Sequence, residues 1–149
     1  MRIRELSLKG YCCSQIMVQL GLDYVGKENP DMIQAAAGLC KGIRSGKICG
    51  VLTGAAMMLT IIDSGNAAEY MIPELSEWFE ETYTERFGGP DCNCIIGESP
   101  IQKGMRCTKI MEETYEKAME ILMNTESNYK GVSVPSAPSI RYGGSSLYE

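Results

Sequence analysis

The sequence predicts an all-α fold: a compact bundle of about five helices around a central apolar helix at residues 48–62, with an irregular C-terminal tail. Three observations carry that prediction. Apolar residues recur at helical spacing almost throughout. No stretch alternates apolar and polar residues as a half-buried strand would. The chain has 149 residues, 44% of them hydrophobic and 22% charged, which suits one globular domain.

The elements follow in order. Residues 4–20 place Leu6, Cys13, Ile16, Met17 and Leu20 on one face, and Gly21 reads as the stop. In "ENPDMIQAAAGLCKGI", Asn29 is the expected N-cap and Pro30 the first helical residue, with Ile33, Ala36, Ala37 and Cys40 inward. "IRSGK" breaks that helix. The run "GKICGVLTGAAMMLTIID" then holds 15 residues from Ile48 to Ile62, short of the 18 or more that a membrane helix requires. It reads instead as the central buried helix, where Gly50, Gly54, Ala55 and Ala56 let neighbours approach closely.

From Pro73 to Phe87, Leu75, Trp78, Phe79 and Tyr83 face in while Glu77, Glu80, Glu81 and Glu85 face out. Glu74 in the first turn and Arg86 in the last suit the helix dipole. "GGPDCNCIIGESPIQKG" reads as a loop. The last helix, residues 103–123, carries Cys107, Ile110, Met111, Thr114, Ala118, Ile121 and Leu122 on its apolar face. This divides the chain into a helical domain, 1–123, and a Ser/Gly/Pro/Tyr-rich tail, 124–149. Tyr129, Tyr142, Leu147 and Tyr148 would dock the tail on a surface or on a neighbouring subunit, making a homodimer. The competing reading is a loosely held terminus.

A net charge of -5 with scattered basic residues argues against nucleic acid as a partner. The start, "MRIRELSLKGYCC", lacks the apolar core of a signal peptide, so the cytoplasm is the expected compartment. Thiols there stay reduced, and seven cysteines without one histidine then suggest metal ligation, redox chemistry or burial as small hydrophobes rather than a disulfide framework.

Four cysteines belong to four separate elements: Cys13, Cys49, Cys92 and Cys107. Cys49 sits at the head of the central helix after Arg44 and Lys47, where the dipole and cations are expected to lower its pKa. Cys92 and Cys94 form a loop-borne C-x-C. Cys12, about 100° around the helix from Cys13, reads as a spectator, and Cys40 as a core thiol. Without histidine a metal site would be all-thiolate or completed by oxygen, suiting an iron–sulfur cluster or zinc.

These residues resemble the redox-active protein family named for the pattern C_GCAxxG_C_C. The match runs through "YCCSQIMV", "ICGVLTGAAMML", "RFGGPDCNCIIG" and "RCTKIM". Its four cysteines fall on Cys13, Cys49, Cys92 and Cys107, and its core glycines on Gly50 and Gly54. Val51 stands where the family usually has alanine. Cys12, Cys40 and Cys94 are extras, with Cys94 near enough to substitute for Cys92.

The resemblance implies redox activity. The leading expectation is an electron-transfer centre in which Cys13, Cys49, Cys92 and Cys107 hold an iron–sulfur cluster and Gly50 leaves it room. One alternative is a metal-free thiol–disulfide oxidoreductase, with Cys49 as attacking thiolate and Cys92 or Cys107 resolving it. Another is a zinc-stabilised helical binding module without catalysis. The redox partner has no signature in the sequence.

Overall fold

The computed structural model describes residues 2–97 and 100–128. The expected tail residues Tyr129, Tyr142, Leu147 and Tyr148, and the dimer contact assigned to them, lie outside those residues. Among the described residues the protein is all helical, and its one extended pairing is an antiparallel bridge between Ile48 and Asp91.

The helix expected over 4–20 is two helices. α1, Arg2–Leu8, buries Ile3 and Leu6. The chain then turns through Lys9–Cys12, and α2, Cys13–Val25, begins with Cys12 as its N-cap. Gly21 does not stop α2. A Cβ there would come within 3.0 Å of Met58 Cα, so Gly21 is a close helix contact. The true stop is Gly26, in the left-handed region that glycine tolerates.

α3, Pro30–Ala36, starts as its cap predicts: the Asn29 side chain accepts from Met32 N at 3.1 Å. It buries Ile33 and Ala36, and a short 3₁₀ turn leads to Cys40. The expected break follows in an unusual form. Lys41, Ile43 and Arg44 have φ of 56°, 57° and 56°, with Gly42 between them at 64°. Left-handed backbone costs a non-glycine residue roughly 1–2 kcal/mol, so the surroundings must hold this turn in place. Arg44 Nε donates to Ala37 O at 3.0 Å, and Lys47 N to Gly42 O at 3.0 Å. Cys92 N donates to Lys47 O at 2.7 Å beside the Ile48–Asp91 bridge.

α4, Gly50–Ile62, is the central helix, with Val51, Ala55, Met58 and Leu59 buried and Cys49 as its N-cap. Asp63 ends it and caps the next turn, accepting from Asn66 N at 3.2 Å. That turn is α5 (Ser64–Asn66), and a further helical turn over Ala67–Met71 joins it to the next helix, in a stretch to which the sequence reading assigns no element. α6, Ile72–Phe87, turns Leu75, Phe79 and Tyr83 inward and its glutamates outward, as the periodicity predicts.

The stretch expected as a loop contains a short helix, α7, Cys92–Ile96. α8, Pro100–Asn128, presents the expected face and runs on past Met123. Glu113 on α8 accepts from Tyr83 Oη at 3.0 Å and from Arg86 Nη1 at 2.8 Å, clamping α6 to α8. Among the described residues no helix is long and apolar enough to cross a membrane.

Candidate functional site

The site lies where the N-terminal ends of α2, α4 and α7 meet the start of α8. Cys13 opens α2, Cys49 caps α4, Cys92 opens α7 and Cys107 sits in the second turn of α8. A cavity of about 340 Å³ is lined by Cys13, Cys92 and Cys107, with Lys41 and Lys103 among its other walls. Cys49 is buried beside these three, close enough that charge on any of them raises its own pKa. Three of the four expected thiols therefore line one cavity, and Cys49 is buried beside it.

Two glycines make the convergence sterically feasible. The position a Cβ on Gly50 would take is 2.7 Å from Cys13 Sγ and 3.0 Å from Leu39 O, so any side chain there would displace the thiol. A Cβ on Gly54 would stand 2.8 Å from Ser14 Cα and 2.9 Å from Met17 Cβ. Gly54 thus sets the approach of α2 to α4, and Gly50 uses that approach to seat Cys13.

The electrostatics correct one expectation. Cys49 is not a low-pKa thiolate. Burial is the largest influence and, with repulsion from Cys13, Cys107 and Cys92, pushes it up to about 12, against a lowering hydrogen bond from Val51 N–H. Desolvation likewise raises Cys13 and Cys92, and lifts Cys107 to about 11. A helix N-terminus favours a thiolate, but here the loss of water outweighs it. The cations that act on the cluster are also not those expected. Lys103 lowers Cys13, Cys92 and Cys107, and Lys41 lowers Cys92, while Lys47 contributes through its backbone. Lys41 also directs its backbone N–H at Cys13, beside the amide of Ser14.

These shifts set a pH dependence for the metal-free protein. Below about pH 9 the Cys49 thiol is protonated in both folded and unfolded chains, and its linkage contribution is flat. Above that, the unfolded chain loses the proton first, so stability falls as pH rises toward 12. Urea unfolding between pH 9 and 11 should show a decline that Cys49→Ala makes shallower by about 1 kcal/mol per pH unit. Equal slopes in the two proteins would contradict the buried, protonated thiol.

The remaining cysteines depart from expectation. Cys12 is no spectator and Cys40 no lone core thiol: the two form a disulfide, with Cα atoms 6.1 Å apart. Both line the same cavity. Cys94 is exposed, outside the lining, with its sulfur against Gly89, so the cavity receives Cys92 and not Cys94. Lys41, Lys103 and the Cys12–Cys40 pair escaped the sequence reading. Only the clustering of extra cysteines near Cys13 and ahead of Cys49 hinted at the pair.

Fold and site together define an all-helical protein that gathers cysteines from distant elements around one cavity. The chain belongs to the family described as "Putative redox-active protein (C_GCAxxG_C_C)", whose model matches residues 11–121. That span contains all four motif cysteines, and the family description supports a redox role. Neither the curated proteins nor the solved structures provide a match.

Proposed function

We propose that the protein is an electron carrier in which Cys13, Cys49, Cys92 and Cys107 hold an iron–sulfur cluster. The observation that supports this reading is that three desolvated thiols, Cys13, Cys92 and Cys107, line one cavity, with Cys49 buried beside them. Such thiols stay protonated near neutral pH unless a metal replaces their protons, and a coordinated thiol is deprotonated outright. The donor set is thiol-only, which suits iron–sulfur chemistry. The amides of Lys41, Ser14 and Val51 directed at sulfur are of the kind that tunes a cluster's potential.

Among the described residues, no group of three or more cysteines and carboxylates is placed to hold a metal ion as the side chains stand, so the thiols must draw together on binding. One zinc ion with bonds of about 2.3 Å would require sulfurs about 4 Å apart. A cluster distributes its thiolates over several irons and tolerates wider spacing than one zinc ion does. When bound, the cluster would supply one-electron transfer. The chain's part is to seat the sulfurs, exclude water and aim backbone donors.

The alternative with Cys49 as attacking thiolate loses support from its burial and raised pKa. Anaerobic purification tests the proposal. The expected result is a brown protein with visible absorbance and near-stoichiometric iron, and Cys92→Ser or Cys107→Ser should lower iron content at least several-fold. An iron-free, colourless preparation that also resists cluster reconstitution would overturn it.

A further inference from the structure

We infer that the Cys12–Cys40 bridge is a redox-active disulfide that exchanges two electrons with a dithiol reductant at the cavity. This goes beyond the proposed cluster and does not depend on it. Three features point there.

The bridge is on the wall of the cavity that receives the other thiols, rather than sealed in a core cluster of its own. The position of a Cβ on Gly50 lies 2.7 Å from Cys13 Sγ and 3.5 Å from Cys40 Cα, which puts the bridge against the four-cysteine set.

Its two halves are unlike. Cys12 is half-buried at the N-cap of α2, facing a cavity that also holds Lys41 and Lys103, cations that attract an incoming thiolate. Cys40 is only 1% exposed. An incoming thiolate therefore has one accessible sulfur, that of Cys12.

A hydrogen-bond partner waits for the reduced form. Ser14, itself fully buried, donates its hydroxyl proton to Ala36 O at 2.7 Å and places Oγ 2.8 Å from Cys40 Sγ. The disulfide sulfur has no proton to give. Once reduced, the Cys40 S–H can donate to Ser14 Oγ. A bond available only to the dithiol favours reduction, as stabilising the reduced form makes a disulfide more oxidising.

The exchange balances. One thiolate of the dithiol attacks Cys12 Sγ, forming a mixed disulfide and breaking the Cys12–Cys40 bond. The electron pair leaves on Cys40, which takes a proton from solvent and, as a thiol, donates a hydrogen bond to Ser14 Oγ. The second thiolate of the reductant then attacks its own bridged sulfur. Cys12 is released as a thiolate and protonated, and the reductant leaves as a disulfide. Two electrons and two protons have passed to the protein.

The experiment uses the full chain, freed of iron so that the cluster reading has no bearing on the result. A thioredoxin-type dithiol protein whose resolving cysteine is replaced by serine is added as a trap, and adducts are mapped by peptide mass spectrometry. The adduct is expected on Cys12. Equilibration against fixed ratios of reduced to oxidised dithiothreitol, followed by alkylation, gives the dithiol-to-disulfide ratio of the pair. Ser14→Ala leaves both cysteines in place and is expected to lower that ratio about fivefold, the effect of one hydrogen bond of about 1 kcal/mol. A bridge that stays oxidised in excess dithiothreitol while the protein remains folded would overturn the inference. So would an adduct on Cys40, or an unchanged ratio in Ser14→Ala.

Discussion

Gly54→Ala is expected to destabilise the protein by about 2 kcal/mol, although alanine is the better helix former by about 1 kcal/mol. The added Cβ would meet Ser14 Cα at 2.8 Å, Met17 Cβ at 2.9 Å and Ser14 O at 2.9 Å. None of these is the tip of a flexible side chain, so the two helices must separate. Separation loosens the seam that buries Met17, Ala55, Met58 and Leu59. It also moves Cys13 away from Cys49. The contrasting substitution is Gly104→Ala on α8, where nothing lies within 4 Å of the new Cβ. There the helix propensity acts alone, and a gain of about 0.5–1 kcal/mol is expected. Chemical denaturation of both variants reads the comparison. Equal effects at the two glycines would show that helix propensity, not the α2–α4 approach, governs Gly54.

Removing the Cys12–Cys40 bridge, by reductant or as the double substitution Cys12→Ser/Cys40→Ser, is expected to cost about 3–4 kcal/mol. The cysteines are 28 positions apart, and closing a loop of that size restricts the unfolded chain by about that much on a chain-entropy reckoning. The native state offers little relief. Cys40 is fully enclosed and immediately precedes the left-handed residues Lys41–Arg44, whose strain is held partly by what precedes them. For a chain of this length the loss corresponds to a fall in Tm on the order of 10 °C. Calorimetry with and without dithiothreitol measures it. A Tm that is unmoved while alkylation confirms the reduced pair would show that the bridge constrains nothing.

Both predictions rest on contacts between helices, and that marks the boundary of what the sequence discloses. Helix faces were legible because burial follows a 3.6-residue period: Leu75, Phe79 and Tyr83 on α6, or Ile110, Met111, Thr114, Ala118, Ile121 and Leu122 on α8, need only their own helix to be recognised. The start of α3 was legible because an Asn–Pro cap is local chemistry. The stop at Gly21 was misread for the converse reason. Glycine means either an end or a close approach, and only the position of Met58 decides which. The short helix α7 was hidden because its two cysteines sit among glycines and prolines, and its hold on Lys47 O comes from a segment over forty residues earlier.

The sequence by itself determined the all-helical class, the central helix with Cys49 at its head, and the family pattern that spans Cys13, Cys49, Cys92 and Cys107. Each depends on local periodicity or on residue types at fixed spacing. Tertiary structure alone decided the rest. It paired Cys12 with Cys40, brought Lys41 and Lys103 rather than the Lys47 side chain to the thiols, and raised the pKa of Cys49 when helix-end position alone argued for lowering it. The physical reason is common to all three. Disulfide pairing, Coulomb interaction and desolvation depend on distance through space and on excluded water, and neither quantity exists until α2, α4, α7 and α8 have packed.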